Sequence, residues 1–153
     1  MDLPELYNKL YRYCYWKLCN PQIAEDMTQE TFLRFLRDHS SRELHQHVPY
    51  LYRIARNLCV DQGRGRQAEP LEKAVQQMGE DSTPGQLTRL ALEQAMDGLP
   101  EEERELLFLR YTNQTSVGET AQILGLSRFA VYRRERRALQ RLREQLDRGD
   151  FYD

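Results

Sequence analysis

The sequence has no apolar run approaching the roughly 20 residues that a membrane-spanning helix needs, although 40% of its residues are hydrophobic. It opens with Asp2 and Glu5, where a secretory leader would carry a basic segment followed by an apolar stretch. From these absences we expect a cytoplasmic protein that does not insert into a membrane.

Cysteine and histidine are both scarce, with three residues of each type among 153. The cysteines form no CxxC pair, and the histidines supply no standard zinc spacing. The residues concerned are Cys14, Cys19, Cys59, His39, His45 and His47. We therefore expect buried free thiols, no metal ion and no cofactor.

Strand signals are nearly absent, because no segment sustains an alternation of apolar and polar residues. Helical periodicity occurs throughout and predicts an all-α protein. The predicted helices span about 3–18, 21–38, 49–62, 87–96, 100–111, 116–124 and 127–146, with a short helical piece around 71–78. Asp2 and Asn20 are the expected caps of the first two helices.

Glycine, proline and small polar residues are concentrated in the middle of the chain, in the segments GRGRQAEP and GEDSTPG. Such a composition, with few large apolar anchors, is typical of a linker. The sequence therefore predicts two small helical domains, 1–66 and 87–148, joined by a flexible linker at 67–86 and followed by a tail at 149–153.

The formal net charge of −2 argues against non-specific attraction to DNA, but the charges are unevenly distributed. Between Ser127 and Arg143, seven arginines accompany a single acid, Glu135. A basic helix that is segregated in this way can bind phosphate whatever the total charge is.

The stretch SVGETAQILGLSRFAVYRRERRALQRLREQL has the pattern of a helix-turn-helix. Ser116 and Glu119 form an S-x-x-E capping box, Gly125 lies where a helix needs a left-handed end, and Ser127 can cap a second helix. The alternative is an αα-hairpin without a role in DNA binding.

On a helical wheel, the last helix has an apolar stripe and, opposite it, a face whose charges are almost purely arginine. The planar guanidinium suits guanine edges and phosphates. Because the first turns of a recognition helix reach the bases, we expect base contacts from Arg128, Phe129, Tyr132 and Arg133. We expect phosphate contacts from Arg136, Arg137 and Arg141.

The helix AEDMTQETFLRFL has an acidic face. Its predicted inward residues are Ala24, Met27, Thr28, Thr31, Phe32, Phe35 and Leu36. Its predicted outward residues are Asp26, Gln29, Glu30, Leu33 and Arg37. The carboxylates do not indicate catalysis or a metal, because no other element supplies firmly placed ligands. An ordinary solvated face explains the charges, but it does not explain Leu33 at the centre of that face.

The third helix combines cationic and amide side chains with aromatic rings. Its predicted outward residues are Arg53, Arg56, Asn57, Val60 and Arg64, next to Tyr50 and Tyr52. This combination suits single-stranded nucleic acid, whose bases stack on rings. Tyrosines at helical spacing fit a protein core equally well.

Three segments, taken together and in this order, resemble the extracytoplasmic-function (ECF) group of bacterial RNA polymerase sigma factors. They are AEDMTQETFLRFL, YLYRIARNLCVDQGRGR, and LPEEERELLFLRY with the helix-turn-helix that follows it. The resemblance covers nearly the whole chain except the linker and the last few residues.

The resemblance implies a non-enzymatic sigma factor that binds core RNA polymerase and promoter DNA, and it suggests an anti-sigma protein as a further partner. The N-terminal domain would dock on the polymerase clamp helices through Asp26, Gln29, Glu30, Leu33 and Arg37. The loop 39–47 with Tyr50, Arg53, Arg56, Asn57 and Arg64 would open the minus-ten element. The C-terminal arginine face would read the minus-thirty-five element.

The sequence departs from the family pattern at a few positions. Tyr50 stands where the family often has tryptophan, and Gly118 occupies a helix interior that the family usually fills with a better helix former. Phe129 and Tyr132 lie where smaller or polar residues are common. The base preference of the family is therefore not carried over to this chain.

Two other function classes remain open at this stage. One is a helix-turn-helix regulator that binds duplex DNA as a dimer, without a sigma role. The other is an interaction adaptor whose acidic helix binds a partner and whose basic helix is merely solvated. A dimeric regulator needs no separate surface for single strands, and an adaptor needs no arginine-only face.

Overall fold

The first two helices begin at the residues that follow their predicted caps. The computed structural model describes residues 2–63 and 84–148. In it, α1 spans Leu3–Leu18 and α2 spans Pro21–Asp38. The side chain of Asp2 accepts a hydrogen bond from the amide of Glu5 at 2.9 Å, and Asn20 accepts one from the amide of Ile23 at 3.0 Å. Each cap satisfies an amide that has no partner inside its helix.

The rest of the described chain is also helical. A short 3-10 helix, Ser41–Gln46, connects α2 to α3, which spans Val48–Gly63. Further along, α4 spans Pro84–Asp97, and α5 spans Glu101–Leu107 and continues through one π-helical turn, Phe108–Thr112. The last two helices are α6, Val117–Leu124, and α7, Arg128–Arg148. The described residues contain no strand, which confirms the all-α prediction.

Some predictions about the middle and the end of the chain are not tested by this structure. The helical piece around 71–78 and the tail at 149–153 lie outside the described residues. The fourth main helix, α4, begins at Pro84 rather than at Leu87. Residues 84–86, which the sequence analysis assigned to the linker, are therefore helical.

The helix-turn-helix forms as its motif predicts. Ser116 accepts from the amide of Glu119 at 3.0 Å, and the Glu119 carboxylate accepts from the amide of Ser116 at 3.0 Å, so the capping box is complete. Gly125 ends α6 with φ +68°, a conformation that glycine adopts without steric cost. Ser127 then accepts from the amide of Ala130 at 3.0 Å and caps α7.

Helices α1, α2 and α3 pack around one apolar core. Its largest fully buried side chains include Leu6, Leu10, Tyr13, Phe35, Leu51 and Tyr52. The hydroxyls of Thr28 and Thr31 are buried with them and donate to carbonyls one turn earlier, at 2.7 Å each. One predicted placement is wrong, since Leu36 is exposed rather than inward-facing. Tyr52, whose place in the core was left open by its helical spacing, is fully buried.

The C-terminal helices form a second, smaller core, which includes Leu99, Leu106, Val131 and Ala138. This core is not separated from the first one. Leu109 and Ile123 belong to the N-terminal core cluster, and the ring of Phe108 stacks on Trp16 with centroids 5.0 Å apart. The two helical halves therefore share a packed interface.

A buried carboxylate lies at the centre of this interface. Glu105 is 2% exposed. It accepts a hydrogen bond from the Tyr13 hydroxyl at 2.7 Å, and it forms salt bridges with Lys17 at 2.8 Å and Arg56 at 3.1 Å. Burial alone would raise the pKa of Glu105, but Lys17, Tyr13 and Arg56 outweigh it and hold that pKa below its ordinary value. The carboxylate is therefore ionised and joins one half to the other.

A second polar contact closes the interface beside the π-helical turn. The side-chain amide of Asn113 is fully buried and donates to the carbonyl oxygen of Lys9 at 2.8 Å and to the Tyr52 hydroxyl at 2.9 Å. Because the turn is wide, the amide of Asn113 bonds to the carbonyl of Phe108 at 3.0 Å. This turn places Asn113 against the N-terminal half.

The cysteines agree only in part with the expectation of buried thiols. All three are free; Cys14 and Cys59 are buried, whereas Cys19 is exposed. Cys19 ends α1 in the left-handed conformation, with φ +55°. None of the described helices combines the length and the apolar character needed to cross a bilayer.

Candidate nucleic-acid and protein interfaces

The acidic face of α2 borders a groove between α2 and α3. The groove has a volume of about 520 Å³. Four of the five predicted docking residues line it, namely Asp26, Gln29, Glu30 and Leu33, and α3 contributes Leu58, Asp61 and Gln62. Arg37 does not line the groove; it is exposed and pairs with Asp38 at 3.5 Å. The structure thus gathers most of the predicted surface into one acidic concavity.

Leu33 is the apolar centre of this face. Its side chain is 64% exposed, more than the other leucines on the surface of the described chain. Glu30 and Arg34 lie beside it and form the expected i,i+4 salt bridge at 2.9 Å. A leucine with this exposure contributes little to folding, and its free apolar surface is available to a partner.

Glu25, the third carboxylate of the segment, is turned toward α1. It accepts hydrogen bonds from the Tyr7 hydroxyl and, at 3.2 Å, from the Gln29 side chain. Burial and the Glu25 carboxylate together raise the pKa of Tyr7 to about 12. The three acids of the segment AEDMTQETFLRFL are therefore not equivalent, since Glu25 helps to hold α1 against α2.

Of the predicted minus-ten residues, three are exposed, one is engaged in a salt bridge and one lies outside the described residues. Tyr50, Arg53 and Asn57 are exposed on α3, and the Arg53 guanidinium lies 6.0 Å from the centre of the Tyr50 ring. Arg56 is engaged, because its Nε donates to Glu105 at 3.1 Å across the interface. Arg64 lies outside the described residues.

The segment that precedes α3 holds a cluster that the sequence analysis missed. His39, Glu43 and His47 each bring one ligand atom to within 4.8 Å of the others. The sequence does contain a signal, since the three residues recur every four positions. This spacing is not one of the standard zinc spacings, and a short 3-10 helix between His39 and His47 brings the three residues together.

The predicted base readers stand on the first two turns of α7. Arg128, Phe129, Tyr132 and Arg133 are all exposed. Phe129 is 72% exposed, and the guanidinium of Arg133 lies 5.5 Å from its ring centre. Large apolar rings at such exposure are unusual on a solvated face, and they can contact thymine methyl groups or stack on bases.

The single acid within the basic stretch does not interrupt the arginine face. Glu135 is mostly buried and forms a salt bridge with Arg110 at 3.0 Å. Arg110 also donates to the carbonyl of Thr115 at 2.7 Å. Because Arg110 neutralises Glu135 on the inner side of α7, the exposed charges between Arg128 and Arg143 keep a single sign.

Two arginines of α7 bind the acidic start of α5. Arg134 pairs with Glu102 at 3.7 Å, and Arg141 pairs with the buried Glu103 at 3.3 Å. In the described part of the chain, Arg133, Arg136 and Arg137 form no salt bridge and are exposed. Arg141 is therefore the one predicted phosphate contact that already has an acidic partner.

Gly118 lies in close contact with the Arg128 side chain. A Cβ atom at this position would lie 2.9 Å from Nη2 of Arg128. Glycine costs about 1 kcal/mol relative to alanine within a helix, but here it lets the Arg128 side chain fold closely over the start of α6. The departure from the family pattern thus affects a predicted base reader.

Family comparisons match both halves of the chain. Residues 3–69 match the family described as Sigma-70 region 2, and residues 95–144 match the family described as Sigma-70, region 4. The first match covers α1, α2 and α3, and the second covers the helix-turn-helix.

Two curated relatives illustrate the similarity. The RNA polymerase sigma-E factor of Streptomyces coelicolor is 31% identical over 86% of this chain and 76% of its own length. The ECF RNA polymerase sigma factor BldN of the same organism is 32% identical over 87% of this chain. The chain spans about half of BldN, 54% of its length.

A solved structure shares the fold across both halves. The sigma factor RpoE of Bartonella quintana, crystallised in complex with the anti-sigma factor NepR, superposes with a TM-score of 0.63. The match covers 94% of this chain and 93% of RpoE. Because the identity is only 22%, the match shows the fold alone.

Proposed function

This chain belongs to the ECF group of bacterial RNA polymerase sigma factors, and we propose that it binds core RNA polymerase in the cytoplasm and directs promoter-specific initiation. It acts by binding and strand capture and carries out no catalysis of its own. The groove between α2 and α3 docks on the polymerase, the exposed side of α3 takes up the melted minus-ten strand, and α7 reads the minus-thirty-five element. An anti-sigma protein stays a prediction from the family.

One observation carries this proposal: a single chain bears an acidic groove around an exposed leucine and, separately, an arginine-only face on a helix-turn-helix. Phosphates repel the groove, so its partner is a basic or apolar protein surface. The arginines of α7 suit DNA. A dimeric regulator needs the second surface but not the first.

The spacing of the two DNA elements exceeds the length of every described helix of the packed arrangement. Elements centred about 25 base pairs apart are separated by roughly 85 Å of B-DNA, at 3.4 Å per pair. The longest helix, α7, has 21 residues and is therefore only about 32 Å long. We infer that the halves separate on the polymerase, which breaks the contact between Glu105 and Arg56 and frees Arg56 for the minus-ten strand.

Selection of DNA sequences from a random pool tests the proposal against the regulator alternative. The chain is mixed with core polymerase, and bound sequences are compared with those bound by the chain alone. We expect the holoenzyme to select two elements at a fixed spacing. A single palindromic duplex site, bound equally well by the chain alone, would instead identify a dimeric regulator.

Two arginines of α7 should respond differently to truncation. Arg136→Ala is expected to weaken binding to all promoters alike, because it removes one phosphate contact. The slope of log K against log salt concentration should become shallower by about one unit. Arg133→Ala should change the sequence preference, because its guanidinium is held beside the Phe129 ring near the start of α7. Fluorescence anisotropy over a salt series, on several promoter sequences, measures both effects. If both variants lose affinity equally on all promoters, the division into base-contacting and phosphate-contacting arginines is wrong.

A further inference from the structure

Three potential ligands converge at the end of α2. Nδ1 of His39 lies 2.9 Å from Oε2 of Glu43, and a ring nitrogen of His47 lies within 4.8 Å of both. The set thus offers two imidazole nitrogens and one carboxylate oxygen.

The backbone holds these residues in place. His39 ends α2, where its amide donates to the carbonyl of Phe35 at 3.0 Å. Glu43 lies within the 3-10 helix, and the amide of His47 closes that helix on the carbonyl of Leu44 at 3.3 Å. Leu44 is 4% exposed and anchors the segment in the N-terminal core.

An aromatic wall, formed by the rings of Phe35 and Tyr50, limits the rotation of the His39 imidazole. The ring of Phe35, which is fully buried, stacks on His39 with centroids 4.6 Å apart and lies 6.0 Å from His47. Tyr50 covers the edge of His39 at 5.9 Å. Because side chains that are already oriented lose less entropy on binding a metal, this wall favours a site.

We propose that His39, Glu43 and His47 bind a zinc ion. Two imidazoles and a carboxylate are a ligand set that zinc accepts, with bonds of about 2.0–2.2 Å, and they leave a fourth position open. The exposed His47 and the partly exposed Glu43 close the remaining distance by side-chain rotation. The ion replaces the hydrogen bond between His39 and Glu43 and ties the end of α2 to the start of α3.

The competing explanation is an ordinary i,i+4 pair between His39 and Glu43, with His47 resting on the aromatic wall. It predicts no metal affinity beyond that of scattered surface groups. It also predicts that His47 and its neighbour His45 are equivalent. His45 is exposed on the same 3-10 helix but is not part of the cluster, so it provides a matched control.

The full chain, freed of metal by a chelator, is titrated with Zn²⁺ by calorimetry and with Co²⁺ as a visible-absorption probe. We expect one equivalent to bind. His47→Ala and Glu43→Gln should each lower the affinity at least about tenfold, since even outer-shell changes cost that much, whereas His45→Ala should leave it unchanged. Zinc should raise the melting temperature of the parent protein and not that of His47→Ala.

Three results would contradict zinc binding by His39, Glu43 and His47. Equal affinity of the parent protein and both ligand variants would assign the binding elsewhere, and its loss in Cys19→Ser would assign it to the exposed thiol of Cys19. Absence of a saturable equivalent would leave only the ordinary ion pair. The titration uses the free protein, so its result does not depend on the proposed sigma function.

Discussion

Glu105→Gln is expected to lower the free energy of unfolding at pH 7 by about 3 kcal/mol. Removing one partner of a buried ion pair costs about 3–5 kcal/mol, because it leaves the other charge without compensation. The lower end applies here, since Lys17 keeps a second partner, Glu101, at 3.3 Å, and the Arg56 side chain is 38% exposed. Chemical denaturation followed by circular dichroism measures the change.

Glu101→Gln is the matched control for this variant. Glu101 contacts the same lysine, but its side chain is 66% exposed. Pairs exposed to this degree contribute about 0–1 kcal/mol. If both substitutions cost the same, burial of Glu105 does not determine its effect, and the interface is not held by this carboxylate.

The effect of Glu105 should also depend on pH. Its folded-state pKa lies below the ordinary value of 4.5, so its ionised form stabilises the folded state above that value. This contribution is lost as the pH falls through the lower, folded-state pKa. The stability difference between the parent protein and Glu105→Gln should therefore shrink on acidification below about pH 4.5. A difference that widens on acidification would contradict the direction of the shift.

Leu33→Asp is expected to weaken the complex with core polymerase by about 2 kcal/mol or more, roughly thirtyfold in Kd, while the fold remains intact. Hot-spot residues, which cluster near the centre of an interface, have losses of this size when they are truncated, and Leu33 is expected to be one of them. The side chain is 64% exposed, so we expect the free energy of unfolding to change by no more than about 0.5 kcal/mol. Surface plasmon resonance with immobilised core polymerase measures the affinity.

Two further variants show whether the loss of affinity comes from the missing apolar contact at Leu33 or from the added charge. Leu33→Asn has nearly the same shape as Leu33→Asp and no charge, so an equal loss from both identifies the apolar contact as the source. Leu3→Asp changes a leucine that is 51% exposed on α1, outside the docking set, and should bind normally. Unfolding by Leu33→Asp would show that the face is assigned wrongly, and normal binding would place the docking surface elsewhere.

Several helix ends could be predicted because their causes are local. Asn20 caps α2 through an amide three residues away, and the capping box of Ser116 and Glu119 has the same range. The outward position of Leu33 also follows from helical periodicity alone. Such short-range patterns can be read from one sequence.

The interface between the halves could not be predicted in this way. Tyr13 and Glu105 are 92 positions apart, and nothing local distinguishes Glu105 from its exposed neighbours Glu101 and Glu102. The spacing of Tyr52 fitted a core position and a nucleic-acid surface equally well, and it is buried against Asn113, which a π-helical turn carries into position. In both cases the burial of the side chain depends on a partner that is far away in the sequence.

Run-off transcription tests the sigma assignment most directly. The purified chain is added to bacterial core RNA polymerase and a template that carries the two selected elements, with Leu33→Asp as the docking-deficient control. We expect a transcript of defined length with the parent chain and a much smaller amount of this transcript with Leu33→Asp. Transcription no greater than that of core polymerase alone would contradict it.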